Sequence, residues 1–323
     1  MKSDKLGIII MEGAEELAEA TIKHLLKFNK GLKRSDIVID VVCPRFSSGE
    51  AKGLISRSVR GYDLYIVSDV FNYGVKYEMY GHVNWMSPDD HYQNLKRIVG
   101  TVIGLAKKVH VVMPMLYEGR QHRCTARESL DSAVFLRELE MLGVNSFLTF
   151  DAHDERVRNA VPFMGFDNIS PARLMIEEFK KNEKKFEFSK DNLMIISPDE
   201  GAIRRCIRFA TMLEVDLGIF YKRRDYSMVV NGKNPIIAHE FLGQNLDGKN
   251  AIIVDDIISS GGSILDIMNQ LKDRGADKIY VFATFGIFTE GIEQIQEAYN
   301  KGMFEKIYIT NLVYLPDEYK NLE

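Results

Sequence analysis

The chain has 323 residues, 46% of them hydrophobic and 27% charged, which is enough apolar material for two domains and excludes a disordered protein. Its formal net charge of −4 argues against nonspecific nucleic-acid binding. No apolar run approaches the ~18 residues of a membrane span, and the N-terminus lacks the apolar core of a signal peptide. The widely separated cysteines Cys43, Cys124 and Cys206 argue against a disulfide framework or zinc site and fit a cytoplasmic protein.

Short apolar runs alternate with helical patterns along the first half of the chain. Residues 7–10 predict a strand, and the apolar spacing of residues 15–28 predicts a helix. The further predicted strands are 37–42, 64–67, 109–113 and 146–150, and the further predicted helices are 92–106 and 130–141. This alternation is typical of an α/β domain.

The second half repeats the same rhythm. The predicted strands are 193–197, 217–220, 251–254 and 278–283, with helices between them. Continuously apolar strands that alternate with helices indicate parallel sheets covered on both faces. We therefore predict an α/β fold with two domains, residues 1–170 and 171–323, and a boundary near Pro171.

The segment from Ala251 to Ser263 is the most informative part of the sequence. Four apolar residues, two acids and a small glycine-containing loop precede an apolar-periodic run, which predicts a strand, an acidic strand end, an anion-binding turn and a helix. Backbone N–H groups and hydroxyls of the loop suit a phosphate at the helix N-terminus. The predicted phosphate loop consists of Ser259, Ser260, Gly261, Gly262 and Ser263. The acids Asp255 and Asp256 suit a sugar diol or magnesium, although an isolated acid pair is more often a solvated strand end.

This segment resembles the phosphoribosyl diphosphate binding motif of type I phosphoribosyltransferases. Together with five other stretches in the same order, it resembles the ribose-phosphate pyrophosphokinase family over nearly the full length. The other stretches are 45–50 (RFSSGE) followed by 58–61 (SVRG), 119–121 (GRQ), 150–153 (FDAH), 197–201 (SPDEG) and 222–224 (KRR). The resemblance implies two domains of type I phosphoribosyltransferase-like fold, each with a mainly parallel sheet. It also implies transfer of the diphosphoryl group of ATP to ribose 5-phosphate.

That reaction concentrates negative charge on phosphate oxygens, so it requires cations and magnesium. By resemblance, Lys222 and Arg224 form the catalytic pair that stabilises the transferred group. His153 and Asp199 correspond to the magnesium-site residues, although magnesium prefers oxygen to nitrogen ligands. The residues Asp199, Glu200 and Gly201 follow a predicted strand and open a helix, so their backbone amides suit a diphosphate and form the predicted diphosphate loop.

The resemblance also assigns the ATP contacts. Phe46 is expected to stack on adenine and Glu50 to accept a hydrogen bond from its exocyclic amine, with Ser48 between them. Arg120 and Gln121 match a nucleotide-contacting pair. In the family, the adenine residues act on the active site of a neighbouring subunit, which implies a homo-oligomer that is at least a dimer.

The chain departs from the family pattern in three places. Ser48 replaces the usual Asp or Asn, residues 122–129 differ, and an aromatic-rich insert lies between Val70 and Asp90. The insert is interpreted as an oligomer contact, an altered nucleotide wall or a solvent-facing loop. Two alternatives to the diphosphokinase therefore stay open: a noncatalytic regulatory homologue, and a phosphoribosyltransferase.

Overall fold

A computed structural model describes residues 5–224 and 236–320, without the side chains of 222–224 and 236–239. The chain divides into one unit made of residues up to Ser170 plus a tail from Asn311, and a second unit of residues 171–310. The predicted second domain, 171–323, was therefore wrong in its C-terminal part. The contacts of the tail with the first unit include a hydrogen bond of 2.7 Å from the Tyr314 amide to the buried Asp69 carboxylate and an ion pair between Lys320 and Glu16.

The strands, in chain order, are β1 Lys5–Ile10, β2 Val38–Ile39, β3 Val41–Val42, β4 Leu54–Ile55, β5 Tyr62–Val67, β6 Lys76–Met79, β7 His82–Trp85, β8 Lys108–Val112, β9 Ser146–Phe150, β10 Gly165–Ile169, β11 Leu193–Ser197, β12 Asp216–Arg224, β13 Ile236–Leu242, β14 Asn250–Ile258, β15 Ile279–Gly286 and β16 Lys306–Ile309. The helices are α1 Glu15–Phe28, α2 Arg34–Ile37, α3 Pro88–Val102, α4 Asp131–Leu142, α5 Ala172–Asn182, α6 Ile203–Leu213, α7 Gly262–Asp273, α8 Glu293–Asn300 and α9 Asp317–Lys320, with a 3-10 helix at Glu155–Ala160.

The first unit is built on a six-stranded parallel sheet in the order β10-β9-β8-β5-β1-β2. On one side, α3 and α4 contribute Leu95 and Leu136 to a core that includes Leu64 of β5. A separate core contains Ile22 of α1 and Ile8 of β1. The predicted α/β organisation of this unit is confirmed.

Several predicted boundaries in the first unit differ from the structure, and two elements differ most. The strand predicted at 37–42 is divided among α2, β2 and β3. The helix predicted from residue 92 begins at Pro88, because Ser87 and Asp90 form a capping box that satisfies the first amides of α3. The aromatic insert contains the β6–β7 hairpin, which the periodicity did not predict.

The second unit has a six-stranded sheet in the order β13-β12-β11-β14-β15-β16. All neighbouring strands are parallel except β12 and β13. Core side chains of α7 such as Ile267 pack with Ile253, whereas Phe209 of α6 belongs to the core that contains Ile252. Because Ile252 and Ile253 alternate along β14, helices cover both faces of this sheet.

Within residues 5–224 and 236–320, no helix combines the length and the apolar character needed to cross a membrane.

Candidate active site

The order of strands in the second unit defines where a ligand is expected to bind. From β11 the chain passes through α6 to β12 on one side, whereas β14 lies on the other side of β11. Such a reversal leaves a crevice beyond the carboxyl ends of the two central strands, which is the usual ligand site of open α/β sheets. The predicted diphosphate loop follows β11, and the predicted phosphate loop follows β14. The fold therefore brings both loops to one edge of the sheet.

The acid pair lies inside β14 rather than at its end. The predicted strand end at Val254 was wrong, because β15 continues to pair with β14 as far as Ile258. Strand β11 pairs with β14 only up to Ile253. Asp255 and Asp256 therefore stand just beyond the last residue of β14 that β11 covers.

Arg205 of α6 is the residue of this site that the sequence interpretation missed. Its Nη1 lies 4.0 Å from Asp255 Oδ1, and its Nη2 lies 3.6 Å from Asp256 Oδ2. Only 9% of the Arg205 side chain is exposed. The sequence did contain a signal for the burial of Arg205, because helical spacing puts this residue on the same face as the buried residues Ala202 and Phe209. An arginine on an apolar helix face needs an acidic partner.

Burial and the neighbouring acid change the protonation of Asp255. Burial raises the pKa of Asp255 well above its ordinary value, the neighbouring Asp256 raises it further, and Arg205 partly offsets both effects. Asp256 itself is buried. A carboxyl group that retains a proton can donate a hydrogen bond while its neighbour accepts one, which suits the vicinal hydroxyls of a sugar.

The predicted phosphate loop connects β14 to the N-terminus of α7. Ser259 accepts a hydrogen bond from the Thr289 amide at 3.0 Å, which fixes the start of the loop. Gly261 has a φ of +83°, a left-handed conformation that favours glycine, and it is the residue that caps α7. Gly262 and Ser263, the first two residues of α7, are exposed. Their position gives an anion access to the positive end of the helix.

Asp199 organises the predicted diphosphate loop. Its Oδ1 accepts hydrogen bonds from the amides of Gly201 at 2.8 Å and Ala202 at 3.1 Å, so the carboxylate caps the turn before α6. Ser197 donates to the Asp199 carbonyl at 2.8 Å. Glu200 is exposed at the edge of this turn. The loop amides that were expected to meet a diphosphate therefore bond to Asp199 in this structure.

Lys222 and Arg224 lie near the carboxyl end of β12, where the strand pairs with β13. Their side chains lie outside the described residues. Their catalytic role remains a prediction.

His153 belongs to the first unit and Asp199 to the second, so each is described in its own surroundings. The His153 ring lies after β9, 5.3 Å from the ring of His122. His122 Nε2 is 3.5 Å from Asp154 Oδ2. Burial and the neighbouring His153 lower the pKa of His122. The sequence interpretation assigned His122 no role.

The predicted adenine residues lie on a tight turn of residues 45–51, here named the Phe46 turn. The Phe46 amide donates to the Glu50 carbonyl at 2.7 Å, and the Phe46 ring is 55% exposed. Ser48 donates to Glu50 Oε2 at 3.0 Å. Ser48, which replaces the usual Asp or Asn, therefore orients the carboxylate of Glu50.

Arg120 and Gln121 have different surroundings. Arg120 is exposed. The Gln121 side-chain amide donates to the Ser129 carbonyl at 2.7 Å, so it fastens the divergent loop that follows it.

Comparison with known proteins gives matches over both units. The family description "N-terminal domain of ribose phosphate pyrophosphokinase" matches residues 6–143, and "Phosphoribosyl transferase domain" matches residues 167–309. The curated ribose-phosphate pyrophosphokinase of Ralstonia nicotianae is 28% identical over 90% of this chain and 81% of its own length. That of Bacillus cereus is 28% identical over 98% of this chain and 88% of its own length.

The crystal structure of phosphoribosylpyrophosphate synthetase from Mycobacterium smegmatis has a similar fold. It superimposes with a TM-score of 0.77 over 97% of this chain and 91% of that chain, at 18% identity. The predicted phosphoribosyltransferase-like fold is confirmed. The resemblance seen in the sequence motifs is confirmed as well: the chain belongs to the ribose-phosphate pyrophosphokinase family of enzymes.

Proposed function

We propose that the chain catalyses magnesium-dependent transfer of the diphosphoryl group of ATP to the anomeric hydroxyl of ribose 5-phosphate. The products are phosphoribosyl diphosphate and AMP. The observation that carries the proposal is the grouping of Arg205, Asp255 and Asp256 beside the loop at the α7 N-terminus. A sugar phosphate needs both the acid pair and the loop, because the acids suit its diol and the loop suits its phosphate.

The roles of the residues follow from their chemistry. The amides and hydroxyls of residues 259–263 hold the 5-phosphate, and the acid pair holds the sugar hydroxyls. Arg205 holds the two carboxylates together. Because its charge is already balanced by these acids, Arg205 does not compete with the loop for the phosphate. Lys222 and Arg224 stabilise the charge on the transferred group, as the family resemblance implies.

Magnesium fits the donor atoms of this site in part. Asp199 and the acid pair supply the carboxylate oxygens that this ion prefers, whereas the His153 imidazole is a less favoured donor. When bound, magnesium supplies charge neutralisation on the diphosphate oxygens. Asp199 is therefore our first choice for a magnesium-site residue, with His153 second.

Release of AMP from ATP in the presence of ribose 5-phosphate tests the proposal. A coupled assay is expected to give AMP and phosphoribosyl diphosphate in equal amounts, with no AMP when either the sugar phosphate or magnesium is omitted. No turnover, together with altered activity of a true synthetase after mixing, would support a noncatalytic regulatory homologue. Consumption of phosphoribosyl diphosphate with a free base would support a phosphoribosyltransferase.

We also propose that the active form is a homo-oligomer, at least a dimer, whose substrates are ATP and ribose 5-phosphate. The support is the family resemblance of the Phe46 turn, which in that family completes the site of a neighbouring subunit.

A further inference from the structure

The β6–β7 hairpin is a compact element rather than an irregular loop. Its two strands are joined by Tyr80 and Gly81, with φ values of +52° and +77°, the pattern of a tight type I′ turn. Lys76 lies over the ring of Trp85, with its Nζ 3.8 Å from the ring centroid. Trp85 is the only tryptophan of the chain, and 58% of it is exposed.

The hairpin is attached to the Phe46 turn at two points near its tip. The Tyr80 amide donates to the Ser47 carbonyl at 2.8 Å. Gly49 packs so closely on the hairpin that a Cβ atom there would lie 2.5 Å from Met79 Sδ. Gly49 also has a φ of +92°, so its lack of a side chain serves both the turn and the contact.

Arg45 makes the third attachment. Its guanidinium carbon lies 3.8 Å from the centroid of the Tyr77 ring, a cation–π contact. The same group donates to Asp90 Oδ1 at 3.1 Å and to the Gly49 carbonyl at 2.9 Å. Only 11% of the Arg45 side chain is exposed. Arg45 therefore holds together the hairpin, the start of α3 and the Phe46 turn.

We propose that the β6–β7 hairpin determines the affinity for the nucleotide, with Tyr77 as a positioning residue that acts through Arg45 on the Phe46 turn. The proposal rests on the proposed function, since it takes the Phe46 turn as the adenine contact. Phe46 and Tyr80 are 55% and 75% exposed, so the turn and the hairpin tip present aromatic surface to a planar base. The tip of the hairpin at Tyr80 and the Phe46 turn thus form the proposed nucleotide wall.

Steady-state kinetics of Tyr77→Ala and Tyr77→Phe test the role of the ring. Loss of the stack in Tyr77→Ala is expected to raise KM for ATP about tenfold, with KM for ribose 5-phosphate unchanged. Tyr77→Phe keeps the ring and is expected to restore the parent value. The control is Val83→Ala, an exposed change in the same hairpin that leaves these contacts intact. An unchanged KM for ATP in Tyr77→Ala, or an equal change in Val83→Ala, would overturn the proposal.

A second variant covers the case in which Tyr77→Ala unfolds the hairpin. Arg45→Lys keeps the charge beside Asp90 but loses the flat stack on Tyr77. It is expected to raise KM for ATP while the circular dichroism spectrum still shows a folded protein. A parent-like KM for ATP in Arg45→Lys would contradict the proposal.

Fluorescence of Trp85 distinguishes failure of the hairpin proposal from failure of the proposed reaction. Titration with ATP in the absence of ribose 5-phosphate is expected to change the Trp85 emission in the parent but not in Phe46→Ala. If the emission changes and no AMP is ever formed, the hairpin proposal stands and the reaction fails. If AMP is formed while ATP leaves the emission and the Tyr77→Ala kinetics unaltered, the reaction stands and the hairpin proposal is wrong.

Discussion

The carboxylate of Asp69, just after β5, accepts a 2.7 Å hydrogen bond from the amide of Tyr314 in the C-terminal tail. It also accepts one of 3.0 Å from the Phe71 amide. Burial raises the pKa of Asp69 to about 6, although both hydrogen bonds oppose the shift. One contact between the tail and the first unit is therefore made by an acid whose pKa is about 6.

The sign of the resulting pH dependence is definite. Because the folded state holds the proton of Asp69 more tightly than the unfolded state, the contribution of this group to stability falls as pH rises from about 4 through 6. Asp69→Asn removes this fall with pH. It also loses one of the two hydrogen bonds at every pH, because Phe71 and Tyr314 donate to different oxygens of the carboxylate. The free energy of unfolding of Asp69→Asn, relative to the parent, is expected to increase by about 3 kcal/mol between about pH 4 and pH 7.

Urea unfolding of the parent and variant at these two pH values measures the difference. Asp167→Asn, an exposed acid in the same unit, is the matched control and should show no such trend. A stability difference for Asp69→Asn that stays constant with pH would show that Asp69 does not titrate in this range.

Arg205→Met should destabilise the second unit. The variant leaves Asp255 and Asp256 side by side without their cation, a loss of about 3 kcal/mol at neutral pH. The loss should shrink as pH falls, because the raised pKa of Asp255 favours its protonated form and so reduces the repulsion between the two acids. Adding Asp255→Asn should recover part of it.

Arg204→Met is the control, since Arg204 is exposed on the same helix. Denaturant unfolding of the variants at two pH values gives the comparison. Equal effects of the Arg204 and Arg205 substitutions would mean that the contact with the acid pair does not stabilise the fold.

The double variant Asp255→Asn/Asp256→Asn should stay folded but bind ribose 5-phosphate about a hundredfold more weakly, because amides replace the carboxyl donor and the carboxylate acceptor that are proposed to hold the sugar hydroxyls. Calorimetric titration with ribose 5-phosphate measures this directly. Asp266→Asn/Asp273→Asn, on the exposed side of α7, should bind like the parent. Unchanged affinity in the first variant would rule out the sugar-diol role.

Lys222→Ala is expected to reduce kcat by several orders of magnitude while the affinity for ribose 5-phosphate stays nearly constant, because a cation that acts on the transition state is worth on the order of 3–4 kcal/mol. The control for loss of a positive charge is Lys278→Ala. Lys278 is exposed just before the amino end of β15, whereas the proposed site lies at the carboxyl ends of the strands. Weakened sugar-phosphate binding with intact kcat would instead assign Lys222 to ground-state binding.

Mixing inactive variants tests the proposed sharing of sites between subunits. Phe46→Ala/Glu50→Ala and Lys222→Ala alter different units, so exchange of subunits should restore a fraction of the activity if each site combines two chains. Activity should also fall on dilution below the dissociation constant of the oligomer. Proven exchange without any recovery would place the whole site within one chain.

The amino-acid sequence by itself determined the features that are local. The apolar run of β14, the small residues of the loop and the periodic face of α7 are contiguous, so their order predicted a strand, a loop and a helix. The same holds for the Asp199 turn between β11 and α6. In both cases neighbouring residues specify their own conformation.

The tertiary structure decided the pairings between distant residues. Arg205 meets Asp256 because α6 packs on the sheet at that point, and Arg45 meets Tyr77 because the hairpin folds back on the Phe46 turn. The end of β14 was set by pairing with β15, and contacts such as that of Asp69 joined the tail to the first unit. A buried charge or an unpaired backbone group needs a partner, but the sequence does not state which distant residue will supply it.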